Sequence, residues 1–318
     1  MKSLRPPVAR SASAPFAGLL AGVLVLAACG GADDASSSGT VNRPTINVGR
    51  TTDPASELLA EIYGQGLENA GFRVGRKDPV ADRAATIAAL EAGTVQFVPE
   101  FSSTLLAHLT TAGSSVTAVT VDDQLAALRT ALPATLTAGP ATAAEGTTVV
   151  ACSQAAVGEH SLKTVSDLAG VVADVTLGGP AAFETAELFG LAALDAAYEV
   201  EFTFVPVGDA AVGAGGSQLS AKLADGTIDC AGAPQTWATI TVDGLIALDD
   251  DKTAFPLDVV VPLMTTAAAT PDVVAVVTQL NATITTDVLR ALLVKLAVGD
   301  QSYDVIAKQF LESQAPAQ

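Results

Sequence analysis

From residue 45 onward, short apolar runs alternate with stretches in which apolar positions return every three or four residues. Residues 46–49 read as a strand, and 54–69 as a helix opened by Asp53 and Pro54 and stopped at Ala70-Gly71. Residues 72–74, 81–90 and 94–98 repeat the alternation. A second set begins with the strand-like run 147–152 and continues through 175–177, 201–207 and 229–233. The chain then passes 245–248, the run Asp249-Asp250-Asp251 and 259–263, and ends in helical patterns from Pro271. This order predicts α/β units on mostly parallel sheets. No internal repeat of roughly 20 to 50 residues appears, which argues against a solenoid. Two lobes joined by crossings near 145–148 and 236–242 account for the order. Residues 45–147 and 239–318 then form lobe 1 and residues 148–238 lobe 2, with a ligand cleft between strand ends and helix N-termini.

Ahead of these elements the pattern changes. Lys2, Arg5 and Arg10 precede an apolar run that ends in Leu26-Ala27-Ala28-Cys29-Gly30. A basic start, an apolar middle and small residues before a cysteine match a lipoprotein signal over residues 1–28, with Cys29 as the lipidated new N-terminus. The strongly apolar part is shorter than the roughly 20 residues that span a bilayer. Residues 29–44 are small and polar, the composition of a flexible tether. The expected location is the extracytoplasmic face of the cell membrane, held there by the N-terminal lipid.

Charge narrows the partners. The chain carries 16 basic and 34 acidic residues; loss of residues 1–28 removes three basic residues and no acid, so the formal charge moves from −18 to −21. Nucleic acid is excluded as a partner, since phosphate backbones require clustered Lys and Arg. Cys152 and Cys230 each sit in a strand-like run. Outside the cytoplasm they form either a disulfide or two small buried core thiols. Catalysis has little support. The two histidines, His108 and His160, do not form a metal-spaced pair, and no Gly-x-Ser-x-Gly elbow is present. The run Gly213 to Gly216 lacks the lysine of a phosphate-binding loop. No cofactor is implied.

Other motifs add a resemblance. Val48-Gly49-Arg50, Glu61-Ile62-Tyr63-Gly64-Gln65, Ala89-Leu90-Glu91-Ala92-Gly93 and Pro99-Glu100-Phe101-Ser102-Ser103-Thr104 occur in order in the first half. Ser166-Asp167-Leu168-Ala169, Leu177-Gly178-Gly179-Pro180, Leu248-Asp249-Asp250-Asp251-Lys252, Phe255-Pro256 and Val261-Pro262-Leu263 follow. Together they resemble the osmoprotectant-binding proteins, the glycine betaine, choline and carnitine receptors of bacterial ABC importers. The resemblance implies a two-lobed venus-flytrap fold of the type II periplasmic-binding-protein class, capture of a small-molecule solute by lobe closure, and delivery to a permease. A sensing or adhesion lipoprotein of the same fold, with a neutral polyol or aromatic ligand, is the second reading.

Members of that family hold a quaternary ammonium in a cage of aromatic faces. Phe101 stands at the family's tyrosine position, and the family's aromatic after Phe-Pro falls at Leu257-Asp258. Tyr63, Tyr198 and Tyr303 read as packing residues among apolar neighbours. Trp237, the one tryptophan, lies where the chain crosses between lobes. Between Val149 and Trp237 the only cations are Lys163 and Lys222, so no second-lobe arginine is present to clamp a carboxylate. Arg50 and the backbone amides near Ser102 to Thr104 are the remaining anion-binding candidates. Asp53 reads as a helix cap, Asp249 to Asp251 as a solvated turn, and Glu100 as a turn-fixing residue below the pocket. The expected ligand site comprises Arg50, Thr51, Thr52, Phe101, Ser102, Ser103, Phe183, Thr236 and Trp237.

Overall fold

The computed structural model describes residues 44–110, 120–208 and 217–314. The signal segment, Cys29, nearly all of the tether and the Gly213–Gly216 run lie outside the described residues. The chain opens with β1 (Ile46–Val48), α1 (Pro54–Asn69), β2 (Val74–Arg76), α2 (Arg83–Glu91), β3 (Phe97–Phe101), α3 (Ser102–Leu109), α4 (Val121–Ala131) and β4 (Leu136–Ala138). It continues with β5 (Thr148–Cys152), α5 (Gln154–His160), α6 (Val165–Ala169), β6 (Thr176–Pro180), α7 (Ala181–Thr185), α8 (Leu191–Tyr198) and β7 (Thr203–Val207). Next come α9 (Gln218–Ala224), β8 (Cys230–Pro234), α10 (Ala238–Val242), β9 (Ile246–Ala247) and β10 (Val260–Thr265). Three helices close the chain: α11 (Pro271–Asn281), α12 (Thr286–Val298) and α13 (Tyr303–Gln314).

These strands build two five-stranded sheets, ordered β2-β1-β3-β10-β4 and β7-β6-β8-β5-β9. The sheets are mixed, not mostly parallel. In the first, β1 runs parallel to β2 and β3 whereas β10 runs antiparallel to β3 and β4. In the second, β6 is parallel to β7 and β8 whereas β5 is antiparallel to β8 and β9. The reason is topological: β5 and β10 are the strands that arrive from the other sheet, and each enters its new sheet from the opposite end. Local patterning carries no record of that direction.

The return to the first sheet also lies later than residue 239. β9 pairs with β5, and Leu248 and Phe255 pack in the second sheet's core with Val150, Leu177 and Phe183. Only β10 rejoins the first sheet. The two chain crossings run side by side: Glu145 bridges to Val259, the Gly146 amide donates to the Asp258 carbonyl at 2.6 Å, and the Asp258 amide donates to Thr147 Oγ1 at 3.0 Å. Short α10 lies between the cores, with Ala238 in the first sheet's cluster and Ile240 in the second's.

Helix boundaries follow their caps. Asp53 accepts from the Ser56 amide at 3.0 Å to start α1, Pro54 fills the first position, and Gly71 takes the left-handed conformation just past its end. The apolar face of α1 packs on the first sheet with α11, α12 and α13, burying Leu58, Leu59, Ile62, Tyr63 and Leu67. Tyr63 is fully buried and donates to Asn281 Oδ1 at 2.7 Å, which satisfies its hydroxyl inside the core. Cys152 and Cys230 face each other in register on β5 and β8 and are joined by a disulfide. The Asp249–Asp251 run is more than a solvated turn. Asp250 accepts from the Ala254 and Phe255 amides and from Tyr198 Oη, and Asp251 accepts from both the amide and hydroxyl of Ser166. Among the described residues no helix is long and apolar enough to cross a membrane.

Candidate ligand-binding cleft

A cavity of about 340 Å³ opens between the two sheets. The first sheet's side contributes the turn before α1 (Thr51, Asp53), Arg83 at the start of α2, Glu100 and Phe101 at the end of β3, and Thr104 on α3. The second contributes Phe183 on α7, Phe189, Gly232 on β8, and Thr236 and Trp237 just beyond it, and the crossing segments supply Gly146 and Asp258. Four aromatic rings therefore line one space: Phe101, Phe183, Phe189 and Trp237. A larger groove of about 920 Å³ runs along α1 and α13, but it has no aromatic lining and its walls carry charges that the protein pairs among themselves. Arg76 there pairs with Glu61 at 2.8 Å and with Glu68 at 2.7 Å. The smaller, aromatic-lined cavity is the one suited to a solute.

Glycines set two of the rings. At Gly232 a Cβ would overlap the Phe183 ring, and at Gly146 it would overlap the Phe101 ring, so each ring packs closely against bare backbone. Behind the cavity, Phe183 stacks on Phe204 with centroids 5.7 Å apart and tilts against Phe255 at 6.3 Å. Its orientation is thereby held by packing rather than by ligand.

The polar groups form one linked cluster. Arg83 Nε donates to Glu100 Oε2 at 2.8 Å, and a terminal nitrogen of the same guanidinium donates to Thr104 Oγ1 at 2.9 Å. Glu100 is 3% exposed and its Oε1 has no hydrogen-bond partner. Asp258, buried beside them, accepts through Oδ1 from the amides of Ser103 at 2.7 Å and Thr104 at 3.3 Å. Burial pushes its carboxyl up to about 7, against the lowering influence of those amides and of Arg83.

Of the nine expected ligand residues, Thr51, Phe101, Phe183, Thr236 and Trp237 line the cavity. The other four serve the scaffold. Arg50 pairs with Glu57 at 3.6 Å and Glu61 at 3.5 Å on α1, because its strand end faces that helix. Thr52 is exposed, and its amide donates to the Val80 carbonyl. Ser102 and Ser103 are fully buried and tie α3 to the second crossing: Ser102 accepts from the Val259 amide, Ser103 donates to the Leu257 carbonyl, and Gln124 bonds both hydroxyls. The α3 amides expected to hold an anion are thus occupied by Asp258. Sequence reasoning missed Arg83 and Phe189, and gave Asp53, Glu100 and Asp258 no ligand role. Arg83 carried a legible signal: a cation in the first turn of a helix opposes the helix dipole and requires a nearby acid, here Glu100.

Two α/β layers with a solute-sized, ring-lined cavity between them define a binding protein of the type II periplasmic-binding-protein class. The chain belongs to the family of substrate-binding domains of ABC-type glycine betaine transport systems, whose model matches residues 44–313. It is accordingly a substrate-binding protein of an ABC importer for glycine betaine-type ligands, a family of solute binders and not an enzyme class. Among solved structures, a glycine betaine/carnitine/choline ABC transporter protein is similar at 17% identity with a TM-score of 0.73, over 85% of this chain and 98% of that one. Apo YehZ from Escherichia coli is similar at 19% identity and a TM-score of 0.68, over 85% and 99%. A choline-binding protein in complex with choline is similar at 13% identity and a TM-score of 0.57, over 85% and 88%. At these identities the likeness establishes the fold. No curated protein matches the sequence.

Proposed function

We propose that the protein is a lipoprotein, anchored through Cys29 on the extracytoplasmic face, that captures a quaternary-amine osmoprotectant in the cleft and passes it to its permease. The carrying observation is the cavity, where four aromatic rings and three carboxyl side chains converge. Aromatic faces attract a cation that cannot donate hydrogen bonds, and acidic neighbours reinforce that attraction. Thr51, Phe101, Phe183, Thr236 and Trp237 form the contact set, joined by Phe189, Glu100 and Asp258. Closure of the two lobes about the crossings at 145–147 and 257–259 seals the solute from water. The similar choline-binding protein and the glycine betaine/carnitine/choline transporter protein support this ligand class.

Titration calorimetry with choline, glycine betaine and carnitine tests the reading. Saturable heat with at least one is expected, and none with any of the three overturns it. Trp237 is the sole tryptophan. Its emission therefore reports directly on occupancy of the cleft. For the anchor, mass spectrometry of membrane-extracted protein is expected to find diacylglycerol on Cys29, and an unmodified N-terminus at Met1 refutes it.

A further inference from the structure

The end of β8 is held from the other lobe. Its ladder with β5 finishes at the pair Thr148 and Pro234, and Gln235, Thr236 and Trp237 then lead into α10. Thr236 and Trp237 line the cavity, and the Trp237 ring packs against the second sheet's cluster that contains Ile240 and Leu245. The Gln235 carbonyl, in contrast, accepts from Arg290 Nε at 2.6 Å, and Arg290 belongs to α12, which packs on the first sheet. A guanidinium donor makes this bond stronger than the neutral ladder bonds it follows. Asp287, 3.7 Å from the same guanidinium, is 93% exposed, so that ion pair contributes little. Gln235 is also tied to the first crossing. Its amide donates to the Thr147 carbonyl at 2.9 Å, and its Nε2 donates to Glu145 Oε2 at 2.9 Å. The Glu145 amide in turn donates to Thr286 Oγ1 at 3.0 Å, one turn before Arg290 on α12. The first turns of α12 therefore grip both the crossing and the residue that precedes the cleft wall. Trp237 is carried by a segment whose backbone is fixed from the first sheet's side while its ring rests on the second.

We propose that Arg290, which does not line the cavity, is a positioning residue for its wall: by holding the Gln235 carbonyl it fixes Thr236 and Trp237 where a solute meets them. This rests on the reading of the cleft as the solute site and of Trp237 as one of its contacts. Without the guanidinium, the carbonyl loses its charged donor and the bend between β8 and α10 is released on the side facing α12. A ring that then samples several positions must be ordered when the solute binds, and that ordering subtracts from affinity. The loss falls mainly on the dissociation rate, because a loosened wall holds the bound solute less well.

Trp237 emission tests this in the ligand-free protein, before any solute is added. Arg290→Ala is expected to shift the emission to the red and to raise its quenching by acrylamide, whereas Arg290→Lys, which keeps a charged donor, is expected to stay near the wild type. Asp287→Ala removes the other neighbour of the guanidinium and is expected to change neither reading. A second arm titrates choline and glycine betaine into the same proteins. Whichever binds the wild type is expected to bind Arg290→Ala about tenfold more weakly, chiefly through faster dissociation, with Arg290→Lys recovering most of the loss. Arg290→Met keeps the apolar stem and lacks the donors, so it replaces the alanine variant in both arms should that one fail to fold. A purely structural role predicts a lower melting temperature with unchanged quenching and affinity in the folded protein, and that result overturns the proposal. Altered quenching with unchanged affinity overturns the part Arg290 plays in binding. If neither solute binds the wild type, the reading of the cleft as a quaternary-amine site falls, while the ligand-free emission still decides whether Arg290 positions Trp237.

Discussion

The ring of Phe183 lies directly over the backbone of Gly232, in space that a single methyl group at that position would occupy. The relationship joins α7 to β8 and turns a glycine in a strand into part of the binding surface. Gly232→Ala is expected to push the ring toward the cavity and weaken ligand binding about tenfold or more, with an overpacking cost of about 1–3 kcal/mol. A titration monitored by Trp237 emission, with a thermal melt alongside, checks both effects. Unchanged affinity would show that the ring has room to move elsewhere.

Arg50 and Arg83 make a contrasting pair. Arg50 bridges to Glu57 and Glu61 on α1 and stays out of the cavity, whereas Arg83 lines it. Arg50→Ala is expected to leave ligand affinity within about twofold while lowering stability by about 1 kcal/mol or less, the range of partly exposed ion pairs. Arg83→Ala is expected to change affinity, since it frees Glu100 Oε2 and Thr104 in the cleft wall. Parallel titrations of the two variants decide the assignment.

How much of this was legible before the structure differs by the range of the interaction. The α1 boundaries follow from Asp53, Pro54 and Gly71, which act within a turn of themselves. The disulfide stood as one of two readings, because pairing depends on the register of β5 against β8. The antiparallel entry of β10 and the late return after Phe255 were hidden, since strand direction is set by the crossing and not by the strand's own residues. In the site, Phe101 and Trp237 were visible as lone aromatics at turning points. Asp258 was read only as the place of a missing ring; its meaning lies in the Ser103 and Thr104 amides, far away in sequence, that surround it.

The Tyr63 hydroxyl donates to Asn281 Oδ1 inside the first sheet's core, and both residues are buried. Tyr63→Phe leaves that oxygen without its donor. The expected loss is about 1–3 kcal/mol, the cost of an unsatisfied buried acceptor. Chemical denaturation measures it, and the ligand titration is expected to be unaffected because neither residue lines the cleft.

The bridge between Cys152 and Cys230 closes a loop with a sequence separation of 78. Loop-entropy reasoning assigns such a closure about 4 kcal/mol of stabilisation. The double variant Cys152→Ala with Cys230→Ala is therefore expected to melt at lower temperature than the oxidised protein. Reductant is expected to lower the melting temperature of the wild type and leave the variant unchanged. Equal melting of oxidised protein and variant would assign the pair no net stabilising role.

Asp258 couples proton, fold and ligand, and the signs oppose one another. Its carboxyl rises from an ordinary 3.8 to about 7 because burial disfavours the charge. Between those values the unfolded chain has lost the proton while the folded chain still holds it. The contribution of Asp258 to stability therefore falls as pH rises from about 4 to about 7 and is level above that, a span of about 4 kcal/mol at most. Asp258→Asn removes the dependence, so the variant is expected to match the wild type near pH 4 and to exceed it in stability at pH 8. Binding runs the other way. An ionised Asp258 favours a cation in the cleft, so choline affinity is expected to rise as pH increases through about 7, with proton release on binding near that pH. Melting curves across pH 4 to 8.5 and titrations on both sides of neutrality, each made with wild type and Asp258→Asn, test the two slopes together. Parallel slopes in the two proteins would remove Asp258 from both roles.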